Sequence, residues 1–205
     1  IVVFRHQIWR LLRGLFRFEM NPETEYMLKI AVSLIPILIV GLFFKDDIES
    51  LFGGGLLFVG CMLLITSLLL LFASRRRSEG RMISYRDAFI IGIGQAVAVL
   101  PGLSRSGTTI STGLLLGDRR EEVSKFSFLM VLIPIIGMNM LDLIGGDLGG
   151  ESLSAGEPVG GFLSSFLVGM AACRFMIRIV NRGGLGWFAL YCFVAGTAVV
   201  VWSLC

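Results

Sequence analysis

The side chains of this chain that are equipped for chemistry crowd into one stretch: Pro101, Gly102, Leu103, Ser104, Arg105, Ser106, Gly107, Thr108 and Thr109. Arg105 offers a planar fork of donors that matches an oxyanion such as phosphate. Ser104, Ser106, Thr108 and Thr109 add hydroxyl donors around it. Gly102 and Gly107 let backbone come close to a ligand. Ser104 and Ser106 also suit the N-cap of a helix running to Leu116, whose free N–H groups and positive dipole end would face the same anion. Gln95, about two turns back on the preceding arm, reaches the same place. No Asp or Glu lies within ten residues of Arg105 on either side, so no local salt bridge neutralises it. The pattern predicts a phosphate-like anion site. The plainer alternative is a tight turn whose hydroxyls satisfy backbone and whose arginine snorkels to an interface.

The elements that hold this stretch belong to a membrane protein. Charged residues make up 16% of the 205 and hydrophobic residues 55%, against about 25% charged in a soluble domain. A net charge of +3 is no sign of nucleic-acid binding, because the placement of the charges matters more than their sum. Five segments are long and apolar enough to span: 27–44, 55–73, 126–144, 159–180 and 187–205. Residues 1–18 form an amphipathic, arginine-studded stretch suited to the interface. Cys61, Cys173, Cys192 and Cys205 lie in apolar runs without ligand-like spacing, so neither a disulfide frame nor a zinc site is expected.

Residues 88–100 and 110–116 are apolar but too short to cross singly. Together, 88–116 is either one broken crossing or a hairpin that dips in and returns. Positive charge separates the two. With a hairpin, one membrane face collects 15 of the flanking Lys and Arg and the other 1; with a single crossing the split is 9 against 7. The positive-inside rule favours the hairpin, entering from the cytoplasmic side, with the C-terminus outside. Arg105 then lies near the bilayer midplane, where an arginine costs about 2.5–3.5 kcal/mol.

At this point the sequence resembles a known family. Gln95 through Ile110, with Gly113 to Gly117, Arg120, Glu121 and Phe126 to Leu129, closely resembles the signature region of undecaprenyl-diphosphate phosphatase, the bacitracin-resistance family. The resemblance extends over essentially the whole chain. It implies an all-α polytopic fold of about five transmembrane helices plus one re-entrant helical hairpin, the second half of an inverted repeat. Residues 1–73 would be a partial first repeat and 88–205 the second. It implies a hydrolase that converts a polyprenyl diphosphate lipid to the monophosphate in the bacterial plasma membrane. Arg105, Ser104, Ser106 and Thr109 would do the chemistry, and Gly102, Gly107, Thr108, Gln95 and Ser127 would line the substrate. It further implies a divalent cation, Mg²⁺ or Ca²⁺, with its ligands mostly outside this chain, since no metal-ligand set is visible here. The chain's single histidine, His6, is near no such motif and reads as an interfacial residue. The family's N-terminal carboxylate and Ser-His motifs have no counterpart, so this stretch alone is expected not to turn over. The alternative is a transporter or flippase for an anionic lipid or phosphate-bearing substrate, since broken helices at midplane also serve transport.

Other polar residues carry less. Asn139 and Ser127 suit interhelical hydrogen bonds, and Asp142 suits an interfacial role. Residues 145–161 suit an external loop.

Overall fold

A computed structural model describes residues 2–15, 21–44, 55–76, 79–145 and 156–204. After a 3-10 turn at Val2–Phe4 come α1 (Arg5–Leu15), α2 (Pro22–Phe43), α3 (Gly55–Arg75), α4 (Tyr85–Val97), α5 (Arg105–Leu115), α6 (Arg120–Gly145), α7 (Gly156–Asn181) and α8 (Leu185–Leu204). Five of them, α2, α3, α6, α7 and α8, are long and apolar enough to cross a membrane. They coincide with the five expected segments, and the chain is an all-α polytopic membrane protein. Two begin earlier than the apolar count suggests. Helix α2 starts at Pro22, with Glu23 and Glu25 in its first turn, and α6 starts at Arg120, with Glu121 and Glu122. Acidic residues favour a helix N-terminus, so each helix extends past the hydrocarbon into the headgroup layer. Much of the expected external loop, 146–155, lies outside the described residues.

The surface is inverted relative to a soluble protein. Leu42, Phe43, Trp187 and Trp202 are each at least three-quarters exposed, a distribution that only lipid contact stabilises. Glycines set the closest packing. In α3 and α8, an added Cβ at Gly196 would lie 3.1 Å from the Gly60 carbonyl oxygen. In α4, one at Gly92 would collide with the Ser33 carbonyl of α2. Small residues thus draw backbones together where no hydrophobic force acts between helices. Asn139 does not reach across to a neighbour; its Nδ2 donates to the Ile135 carbonyl of its own helix at 2.7 Å.

The hairpin is genuine. Helices α4 and α5 pack against each other, α4 against α2 and α5 against α3. At the mouth, the inbound and outbound segments lie side by side. The Glu79 N–H donates to the Gly117 carbonyl at 3.0 Å, and the Arg119 N–H to the Arg81 carbonyl at 3.0 Å. The segment therefore returns to the side it entered. Ser84 starts α4 with a capping box: its Oγ accepts from the Asp87 N–H, while Asp87 accepts from the Ser84 N–H. Arg81 lies 3.6 Å from Asp87.

Asp118, fully buried on the outbound segment, has its carboxyl pushed up to about 6. Burial is the main cause, followed by the negative charge of Asp87; Glu122 adds to it and Arg81 opposes it. The folded protein therefore holds a proton that the unfolded chain, at an ordinary 3.8, gives up earlier. Stability from this group is present below about pH 4 and is lost as pH rises through about 6. The thermal midpoint of Asp118→Asn is expected to gain on wild type across that window. Parallel pH profiles of the two proteins would sink this.

Candidate functional site

The hairpin tip is built by a turn. The Leu103 N–H donates to the Leu100 carbonyl at 3.1 Å. Between them stand Pro101 and Gly102, the latter at φ +90°, the residue pattern of a type II turn. A Cβ at Gly102 would lie 2.6 Å from the Val59 carbonyl oxygen of α3. This glycine is thus spoken for by the turn and by close packing on a neighbouring helix.

Ser104 caps α5. Its Oγ accepts from the Gly107 N–H at 3.2 Å, and its own N–H donates to Thr66 Oγ1 at 3.2 Å. The Thr66 hydroxyl in turn donates to the Met62 carbonyl at 3.0 Å. Thr66 stands 11 residues past Gly55 in the 21-residue α3, about 16 Å along it and close to its midpoint. The start of α5 is therefore held at mid-span depth.

Thr66 escaped the sequence reading because a threonine within a Leu/Ile-rich span looks like filler; only the tertiary contact reveals it. Thr66→Val keeps the shape and removes the acceptor. It is expected to destabilise the protein by about 1–3 kcal/mol, read as a lower thermal midpoint that Thr66→Ser restores. An unchanged midpoint in the valine variant would show that the bond contributes nothing.

Arg105 opens α5 at this depth. Its side chain is exposed on the protein surface rather than enclosed by it, and it meets no carboxylate or acceptor among the described residues. Beside it, the Ser106 hydroxyl is half-buried and uncommitted. The cap satisfies the Gly107 N–H, while the N–H groups of Arg105 and Ser106 have no partner among the described residues. One guanidinium, one free hydroxyl and two free amides at the positive end of a helix dipole thus share one place. Such a constellation has the donors and the charge to receive an oxyanion.

The remaining candidates lie behind this face. Thr109 is fully buried, its hydroxyl donating to the Arg105 carbonyl at 3.0 Å and the Ser106 carbonyl at 3.3 Å. It braces the first turn of α5. At Gly107 an added Cβ would meet Ser104 Oγ at 2.9 Å, so this glycine makes room for the cap. Thr108, Gln95 and Ser127 are buried as well, and their side-chain polar atoms lack hydrogen-bond partners among the described residues.

Known proteins resemble this chain along nearly its whole length. The description "Bacitracin resistance protein BacA" matches residues 1–198. A protein of Christiangramia forsetii named undecaprenyl-diphosphatase is 48% identical over 99% of this chain and 77% of its own length. One of Bacteroides thetaiotaomicron with the same name is 50% identical over 100% of this chain and 79% of its own length. One of Methanococcus vannielii, again so named, is 38% identical over 98% of this chain and 79% of its own length. A family match over residues 1–198 and relatives about half identical over nearly the whole chain leave one conclusion: the chain belongs to the BacA family of bacitracin resistance proteins.

Proposed function

We propose that the protein hydrolyses undecaprenyl diphosphate to undecaprenyl phosphate and inorganic phosphate. The relatives named for that activity support the reading. The observation that carries it is Arg105, a cation at mid-span depth with no partner on the described residues, at the free N-terminus of α5. In the reaction, the bond between the terminal phosphorus and the bridging oxygen breaks. A water oxygen joins the terminal phosphorus, the bridging oxygen stays on the lipid monophosphate, and one proton of the water ends on each product. Arg105 would hold the diphosphate and offset the charge that builds on its oxygens in the transition state. Ser106 and the amides of Arg105 and Ser106 would complete the cradle, with Ser104 setting the helix start. Thr109 would act by orienting that first turn. Among the described residues neither serine stands next to a base that would activate it as a nucleophile.

A divalent cation, as the family resemblance implies, would take its ligands from outside the described residues and from the substrate's phosphate oxygens. No cluster of three or more His, Cys, Asp or Glu exists among the described residues, and the carboxylates Asp87 and Asp118 sit at the mouth, an arm's length from Arg105.

In this reading the hairpin enters from the cytoplasmic side of the bacterial plasma membrane and the C-terminus lies outside. Residues 1–73 belong to a first repeat and 88–205 to a second. The pairing of α3 with α8, the last helix of each, supports that division.

The test uses the complete protein in liposomes loaded with undecaprenyl diphosphate. Stoichiometric phosphate release with formation of the monophosphate is expected. Movement of intact diphosphate between leaflets without phosphate release would replace this reading with transport, which a broken mid-span hairpin also suits.

A further inference from the structure

Gln95 is fully buried, yet neither its Oε1 nor its Nε2 has a hydrogen-bond partner among the described residues. An amide brings two donors and two lone pairs, and leaving them unmet in a helical interior is costly. Ser127, 1% exposed, has a hydroxyl in the same condition. The two lie on different helices, α4 and α6.

A glycine contact one turn nearer the mouth sets their register. A Cβ at Gly113 would meet Val123 Cγ1 at 2.7 Å and Ile91 Cδ1 at 3.2 Å, so Ile91, Gly113 and Val123 form one layer across α4, α5 and α6. Helices α4 and α6 run from the mouth inward, and α5 runs back out. One helical turn deeper on each is therefore Gln95, Thr109 and Ser127, four residues further along the same faces. Thr109 is fully buried too, and its hydroxyl spends its proton on the Arg105 and Ser106 carbonyls, so its lone pairs can accept. Three buried polar groups on three helices, with donors and acceptors to spare, match what one internal water needs, namely two to four polar partners.

We propose that Gln95, Ser127 and Thr109 hold a buried water one turn beneath the hairpin tip, and that this water positions the first turn of α5, which carries Arg105. Gln95 and Ser127 are then positioning residues rather than substrate contacts. The water site stands on burial and register alone; its kinetic consequence rests on the hydrolase reading above.

The experiment measures the thermal midpoint and lipid-diphosphate hydrolysis of the complete protein for Gln95→Met, Ser127→Ala and the double variant. Each single variant strands the other polar group. Each is expected to lower the midpoint by about 5 °C and kcat about tenfold, with KM nearly unchanged. The double variant removes both stranded groups, so its midpoint is expected to return most of the way while kcat stays low. A high-resolution density map of the wild type should show one ordered water between the Gln95 amide and the Ser127 hydroxyl. Three results overturn the proposal: a direct Gln95–Ser127 hydrogen bond with no water, single variants whose midpoints do not move, or kcat recovering in step with the midpoint in the double variant. If the wild type releases no phosphate, the hydrolase reading fails, while midpoints and density still decide the water site.

Discussion

Arg105→Ala in the complete protein is expected to slow phosphate release from undecaprenyl diphosphate about 10³-fold, without loss of stability. The two halves of that expectation have separate causes. The guanidinium makes no bond to any described residue, so its removal breaks nothing in the fold. It also takes a cation out of mid-span, where an arginine costs about 2.5–3.5 kcal/mol, so the thermal midpoint should hold or rise slightly. Catalysis loses the one full positive charge at the start of α5. The drop should fall on kcat more than on KM, because the charge to be offset grows as the phosphoryl group transfers. Arg105→Lys should recover little, since a point charge on a flexible stem does not replace a two-pronged planar donor. A midpoint that falls together with activity would mean that the arginine is structural. Activity within about threefold of wild type, a cost well under 1 kcal/mol, would remove it from the reaction altogether.

Gly102→Val should do the reverse, damaging the fold first and activity through it. At φ +90° a β-branched residue is strained by about 1–2 kcal/mol. Its Cβ would also press on the Val59 carbonyl oxygen at 2.6 Å and on Met62 Cβ at 3.1 Å, backbone and packed side chain that cannot swing aside. Overpacking of that kind adds about 1–3 kcal/mol. A total of about 2–5 kcal/mol should appear as poor yield and a midpoint lowered by about 5–15 °C. Gly102→Ala should show the same effect at a smaller size. A valine variant with a wild-type midpoint would mean that the tip does not sit against α3 as described.

Much of the architecture was legible in the sequence, but by different signals. The five spans follow from length and apolarity alone. The hairpin does not, since its arms look like any short apolar run; the distribution of Lys and Arg revealed it, and the bonds between 79–81 and 117–119 agree. At the tip, Ser104 was readable as a cap because capping is local, and the isolation of Arg105 was readable from the missing carboxylates. The partners of these residues were not. Thr66 holds the Ser104 N–H from 38 positions away, and nothing in α3 marks it. The full burial of Gln95 is a tertiary outcome that its place on the hairpin arm does not announce. Gly102 and Gly107 looked suited to a ligand, and the structure gives each a packing duty, on α3 and on the cap.

The stitched mouth of the hairpin has a consequence for movement. With 79–81 and 117–119 tied to each other, neither arm can slide without carrying its twin. Helices α2 and α3 flank the pair on either side, which blocks sideways swing. Along the membrane normal, the Ser104–Thr66 bond and the close seat of Gly102 on Val59 pin the tip to α3. Arg105 therefore keeps both its depth and its heading, and a ligand must come to it.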